Sequence, residues 1–228
     1  MFRAVLFDMD GVIIDSEPLH MKAFQVAMRN YGLELSDEYC YQFIGRTDRY
    51  MVEVLIKEWN LSDSVDKVLQ LKSSILENLE KVEGYPPVPY VKQLIKNLYE
   101  NKIKLAIASS SPMSAIQYTA KTQGLTNYFA EYVSGTEIVH SKPAPDIFLK
   151  SAKMLDVDPA ECLVIEDSEH GVAAAKAAGM TCVGFFNPNS GNQNLSKADI
   201  IVEGFEEIDY NYLLQVYQRS HHLPSNHS

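Results

Sequence analysis

Five short runs, Ala4 to Phe7, Ile103 to Ala108, Cys162 to Ile165, Thr181 to Phe186 and Ile200 to Val202, are apolar almost without interruption. A strand with one wet face alternates apolar and polar residues, so unbroken runs predict strands buried on both faces. Helical patterns lie between them. Val91, Leu94, Ile95 and Leu98 share one helical face, Ala144-Pro145 opens a stretch through Leu155, and Gly171 to Ala178 ends at Gly179. Strand alternating with helix predicts an α/β fold with a doubly wound parallel sheet, Rossmann-like in plan.

The rhythm breaks once. From Asp15 to Gly84 no strand-like run occurs, and amphipathic helical patterns begin with Leu19, Ala23, Ala27 and Tyr31 at four-residue spacing, with Gly32 as a C-terminal stop. Asp15-Ser16-Glu17-Pro18 offers helix-cap chemistry at one border, and Glu83-Gly84-Tyr85-Pro86-Pro87-Val88-Pro89 is stiff and non-helical at the other. The expected organisation is a catalytic core of residues 1–14 and 85–228 with an inserted helical cap, residues 15–84, between two hinges.

At 228 residues, 46% apolar and 22% charged, the chain is large enough for this plan and excludes disorder. Twenty Lys and Arg against 30 Asp and Glu give a formal charge of −10, which leaves no broad basic surface for nucleic acid or an anionic membrane. An anionic substrate therefore needs a locally positive pocket. Cys40, Cys162 and Cys182 are odd in number and set among apolar neighbours, as buried small hydrophobes are. An acid at Asp8 interrupts the N-terminus before a signal core forms, and no later run approaches membrane-spanning length, so a soluble, cytoplasmic protein is expected. It is taken separately as a monomer, a state that does not follow from these features. The polar tail from Ser220 to Ser228, with His221, His222 and His227, reads as a mobile end.

Chemistry concentrates where strands end. Asp8-Met9-Asp10-Gly11 places two carboxylates two residues apart as an apolar strand meets a glycine. The carboxyl ends of parallel strands bound the ligand crevice in such folds. A bare Asp-x-Asp is more often a solvated turn, but Leu163-Val164-Ile165-Glu166-Asp167 repeats the device. Four acids in one crevice require a cation, and carboxylates with a backbone carbonyl and water describe Mg2+. Ser109, Ser110 and Ser111 supply hydroxyl and amide donors at another strand end, and Lys142 before Pro143 supplies one ammonium.

Taken in order, Asp8-Met9-Asp10-Gly11, the Ser109 loop, Lys142-Pro143 and Glu166-Asp167 resemble the four motifs of the haloacid dehalogenase-like phosphohydrolases. Within them, the chain is most similar to the helical-cap group of β-phosphoglucomutase-like phosphatases and mutases. The resemblance implies that Asp8 attacks phosphorus to form an aspartyl-phosphate, and that Asp10 protonates the leaving oxygen and then deprotonates water. It assigns Mg2+ to the Asp8 carboxylate, the Asp10 carbonyl and Asp167, with Glu166 as a ligand or a partner of one. Ser109, Ser110 and Lys142 hold the transferring phosphoryl group. Substrate choice falls to cap residues, with His20, Gly45, Arg46 and Thr47 as candidates and Arg49 and Lys72 behind them.

The pattern departs from β-phosphoglucomutases at two positions. A cap arginine and a lysine after the serine loop usually hold their second phosphate, and here Asp48 and Pro112 stand instead. The expected activity is therefore a magnesium-dependent phosphomonoesterase for a small sugar phosphate, with a phosphomutase as the alternative. A phospho-signalling module is a third reading, weakened because its phosphorylated Asp follows a later strand and it lacks a cap.

Overall fold

The computed structural model describes residues 1–43 and 47–222. In chain order its elements begin β1 (Ala4–Phe7), α1 (Glu17–Arg29), α2 (Asp37–Tyr41), α3 (Asp48–Trp59), α4 (Val65–Glu83), α5 (Val91–Glu100), β2 (Lys104–Ser109) and α6 (Met113–Thr122). They continue β3 (Glu131–Ser134), α7 (Asp146–Leu155), β4 (Cys162–Glu166), α8 (Glu169–Ala177), β5 (Thr181–Phe185), β6 (Ile200–Val202) and α9 (Tyr210–His222). Two compact units result: one of Met1–Ile14, Pro87–Asn187 and Gln193–Ser228, the other of Asp15–Pro86 and Pro188–Asn192.

The first unit is built on a six-stranded sheet in the order β3-β2-β1-β4-β5-β6, all neighbours parallel. This is the doubly wound α/β arrangement that the apolar runs predict. Every residue of β1, β4 and β5 is buried. Ala4 and Leu6 join Ala106, Val164 and Cys182 in one core cluster with Phe148 of α7 and Val172 of α8. The alternate residues Val5 and Phe7 are equally buried and point to the opposite face.

The register positions the chemistry. Phe7 pairs with Ile107 on one side and Ile165 on the other, so Asp8, Ala108 and Glu166 emerge level with one another. Ser109 pairs with Ser134 in the next strand out. Five strands answer the five apolar runs. The sixth, β3, is missed because its Glu131 and Tyr132 are only half-buried and it lacks a continuous apolar run, unlike β6 at the opposite edge.

In the second unit α1 packs chiefly against α4, around a core that includes Phe24, Met28, Cys40, Met51, Val52 and Leu55. Thr47 and Ser64 cap α3 and α4 with their side chains, each worth about 1 kcal/mol. Ser16, expected to do the same for α1, makes no side-chain cap, and Pro18 occupies the first turn instead. Helix α1 ends at Arg29, before Tyr31, and turn hydrogen bonds carry the chain on to Gly32. The short segment Pro188–Asn192 joins this unit from far along the chain, and Asn189 Nδ2 donates to Asp15 Oδ2 (2.6 Å).

Candidate active site

The end of β1 anchors the site. Asp8 donates its amide to the Ile165 carbonyl (3.0 Å) and its side chain turns inward, leaving the residue 7% exposed. The chain reverses immediately after Asp10, where Gly11 adopts φ +83°, a conformation side-chain-bearing residues rarely take. Asn187, two residues beyond β5, ties this turn down by donating Nδ2 to the Gly11 carbonyl (2.9 Å). Nothing in the sequence near Asn187 marks it for that task.

Lys142 is the cationic centre. Its ammonium donates to Asp8 Oδ1 (2.5 Å), to Glu166 Oε1 (2.6 Å) and to the Ala108 carbonyl (3.3 Å), and lies 5.2 Å from the Phe148 ring centroid. The Lys142–Pro143 peptide is cis. Burial works against the ammonium, but the Asp8 and Glu166 carboxylates together outweigh it and hold the group charged beyond its ordinary range.

Glu166 is fully buried, and both its oxygens are engaged. Oε1 takes Lys142, while Oε2 accepts the Ser168 amide (3.0 Å) and hydroxyl (2.9 Å). The same Ser168 oxygen caps α8 by accepting from the Gly171 amide (3.0 Å). A side chain at Gly171 would run into this carboxylate, because a Cβ there would lie 1.8 Å from Glu166 Oε1. Glu166 thus orients the lysine and is itself fixed by the start of α8. Sequence reading marks Gly171 only as part of a small-residue helix and assigns Ser168 nothing.

Asp8 feels too much negative charge. Burial raises its pKa well above the usual carboxylate value, Lys142 opposes that, and Glu166 and Asp167 push it up further. Three buried carboxylates against one ammonium leave an excess of negative charge that a hard dication would offset. Among the described residues no three His, Cys, Asp or Glu side chains form a ready metal cage. A site of this kind is completed by backbone carbonyl, water and substrate oxygen, as magnesium sites commonly are.

The serine loop after β2 is braced from several directions. Ser109 is 1% exposed, and its hydroxyl accepts the Ser111 amide (3.0 Å). Ser110 is exposed and packs against Gly135, where a Cβ would sit 2.8 Å from the Ser110 Cα. Ser111 Oγ donates to Asp10 Oδ2 (2.8 Å). The loop therefore reaches Asp10 through Ser111, a residue to which the sequence, in contrast to Ser109 and Ser110, assigns no individual role.

Among the described candidates of the helical unit, His20, Thr47 and Lys72 come together and Arg49 stands apart. Gly45 and Arg46 lie outside the described residues. Thr47 accepts the Tyr50 amide as the α3 cap (3.2 Å), and Arg49 pairs with exposed Asp66 (2.6 Å). Lys72 is interior, 1% exposed, and its ammonium meets Asp48 Oδ2 (2.6 Å) and His20 Nδ1 (3.0 Å). His20, Thr47 and Asp48 line a cavity of about 20 Å³, room for one water-sized group.

Comparison with known proteins agrees with this chemistry. A profile described as haloacid dehalogenase-like hydrolase matches residues 5–185. A phosphorylated carbohydrates phosphatase of Thermotoga maritima is 32% identical over 78% of this chain and 82% of that protein. Fructose-1-phosphate phosphatase YqaB of Escherichia coli is 31% identical over 80% of this chain and 95% of its own. Among solved structures, a HAD family hydrolase from Deinococcus radiodurans R1 with bound phosphate and sodium aligns at a TM-score of 0.80 and 25% identity, covering 94% of this chain and 96% of that one. With four-fifths of its length matched, and relatives that are phosphatases, the chain belongs to the haloacid dehalogenase-like hydrolases.

Proposed function

We propose that this hydrolase is a magnesium-dependent phosphomonoesterase for a small sugar phosphate, working through an aspartyl-phosphate on Asp8. One observation carries the reading: a buried ammonium joins Asp8 to Glu166 at 2.5 and 2.6 Å, and a second acid, Asp10, stands two residues on. Lys142 offers positive charge to a phosphoryl group and keeps the Asp8 carboxylate aimed at it. An Asp8 oxygen bonds to phosphorus as the ester oxygen departs, and Asp10 hands that oxygen a proton. Asp10 then takes a proton from the water that attacks the acyl phosphate, which returns Asp8 as a free carboxylate. Ser109, Ser110 and the amides of their loop hold the phosphoryl oxygens.

Magnesium would be held by the Asp8 and Asp167 carboxylates and the Asp10 carbonyl, and it supplies neutralisation of charge on the phosphoryl oxygens. Glu166 serves the lysine, since its oxygens are already committed to Lys142 and Ser168. Two departures favour hydrolysis over phosphoryl transfer between sugar positions. Asp48 brings a negative charge where a mutase has a cap arginine, and that charge is paired with Lys72. Pro112 replaces the lysine after the serine loop and opens α6. The relatives named for phosphorylated carbohydrates and fructose 1-phosphate support a sugar phosphate as substrate class.

The test is a panel of sugar and polyol monophosphates with magnesium, scored for released phosphate and for isomerised sugar, with acid quenching to trap a radiolabelled phosphoenzyme. Phosphate release with a labelled wild-type protein, and neither in Asp8→Asn, is expected. Isomerised sugar without phosphate release, or turnover by Asp8→Asn, would overturn the proposal.

A further inference from the structure

Asp10 must present a proton to one oxygen and later receive one from water, so its carboxyl group has to be held in a single orientation. The structure contains a device suited to this. Ser111 Oγ donates to Asp10 Oδ2 (2.8 Å), which leaves Oδ1 as the atom to carry the mobile proton. Ser111 is itself fixed at every polar group it owns. Its amide donates to Ser109 Oγ (3.0 Å), and its carbonyl accepts from Ser134 Oγ (2.7 Å). Ser134 is fully buried at the end of β3 and shares a hydroxyl contact with Thr136 (2.8 Å). The close approach of Gly135 to Ser110 locks the two loops together. Ser134, at the edge strand, thus holds the backbone of the residue whose hydroxyl holds the proposed acid.

We propose that Ser111 is a positioning residue for Asp10, and that Ser134 backs it through the Ser111 carbonyl. The inference rests on the phosphomonoesterase reading. In the first step the Asp8 oxygen–phosphorus bond forms, the phosphorus–ester oxygen bond breaks, and the proton on Asp10 Oδ1 moves to that oxygen. Ser111 transfers nothing. Its hydroxyl fixes the carboxyl plane, and its value lies in steps that need this proton.

Leaving groups separate that role from simple phosphate binding. The oxygen of glycerol 2-phosphate leaves as an alkoxide unless protonated, whereas that of 4-nitrophenyl phosphate leaves as a stable phenolate. The quantity to compare is kcat/KM, which extends only to release of the first product and excludes later hydrolysis of the phosphoenzyme. A positioned acid is worth about 10²- to 10⁴-fold. Ser111→Ala, which retains the acid but not its orientation, is expected to lower kcat/KM for glycerol 2-phosphate about 10- to 100-fold. For 4-nitrophenyl phosphate it should stay within about threefold, Ser111→Thr should restore most of the loss, and melting should be unchanged. Ser134→Ala should show the same selectivity at smaller size, and provides the test should Ser111→Ala fold poorly. Equal losses on both substrates would make Ser111 a phosphate ligand and overturn the assignment, as would no loss on either. A wild-type protein inactive on every phosphate ester would instead remove the phosphatase reading beneath it.

Discussion

Adding one methyl group at Gly171 tests how the site holds its lysine. The residue lies in the first turn of α8 and has an ordinary backbone conformation, so helix propensity alone predicts that alanine stabilises by up to about 1 kcal/mol. Space predicts the reverse. A Cβ would lie 1.8 and 2.2 Å from the two Glu166 oxygens and 1.9 Å from the carbon between them. The carboxylate must move, and it is fully buried with contacts at 2.6, 2.9 and 3.0 Å to Lys142 and Ser168. Hydrogen bonds to a charged group contribute about 1.5–3 kcal/mol each. Losing two of them, set against the alanine gain, leaves Gly171→Ala less stable by about 2–5 kcal/mol, which urea unfolding measures directly. Lys142 loses one of its two carboxylate partners, so kcat/KM should fall about a hundredfold, the scale of one misplaced electrostatic group. Gly124→Ala is the control, because Gly124 has φ +71° with open space around it. That variant should lose about 1–2 kcal/mol through backbone strain alone and retain its kinetics. A Gly171→Ala protein as stable as wild type, with unchanged kcat/KM, would refute the claim that Glu166 holds the lysine from this spot.

Magnesium at a hundred times its dissociation constant should stabilise the protein by about 2.7 kcal/mol, seen as a rise in Tm that EDTA reverses and Asp167→Asn removes. The pH dependence of the metal-free protein follows from Asp8. Its folded pKa is raised, so the native state binds more protons than the unfolded chain between the ordinary value of 3.8 and the raised one. Stability should therefore fall as pH rises through that window, and Asp8→Asn should flatten the fall in pH-resolved denaturation. A steeper profile in the variant would contradict the assigned crowding of carboxylates. Burial pushes the Cys40 thiol up to about 11 and the Cys162 thiol up to about 12, and all three cysteines are buried and unpaired. A thiol reagent at pH 8 should label none of them in the native protein and all three after unfolding.

Where the chain buries strands on both faces, its plan is open to reading, because continuous apolar sequence has few other uses at that length. The same pattern points to the site. Asp8 and Glu166 are the first residues that stop being apolar on neighbouring strands, and the parallel register sets them level. One edge strand, β3, escapes this logic, whereas β6 at the opposite edge keeps an unbroken Ile-Ile-Val run. β3 has a neighbour on one side only, tolerates Glu131 and Tyr132, and so looks like a loop, although Ser134 at its end braces the serine loop. Lys72 escapes it differently. A lysine within an amphipathic helix reads as surface, yet Asp48 and His20 meet its ammonium inside the helical unit and make its burial tolerable.

The residues that decide geometry at the site were the least legible, for a physical reason. A nucleophile or a metal-binding acid needs a particular functional group, so its residue type limits what it can be doing. A positioning residue needs only to be in reach. Ser111 and Ser134 are 23 positions apart, and Asn187 reaches Gly11 across 176. Serine and asparagine at such distances look like any solvated turn until the sheet brings them together. Gly171 is harder still, since its contribution is the space it leaves. Glu166 shows the converse. Its acid type beside Asp167 suggests a metal ligand, but a carboxylate has two oxygens, and here both are taken, one by an ammonium and one by a helix cap. What already engages an acid's oxygens therefore follows from three-dimensional neighbours and not from the spacing of a motif.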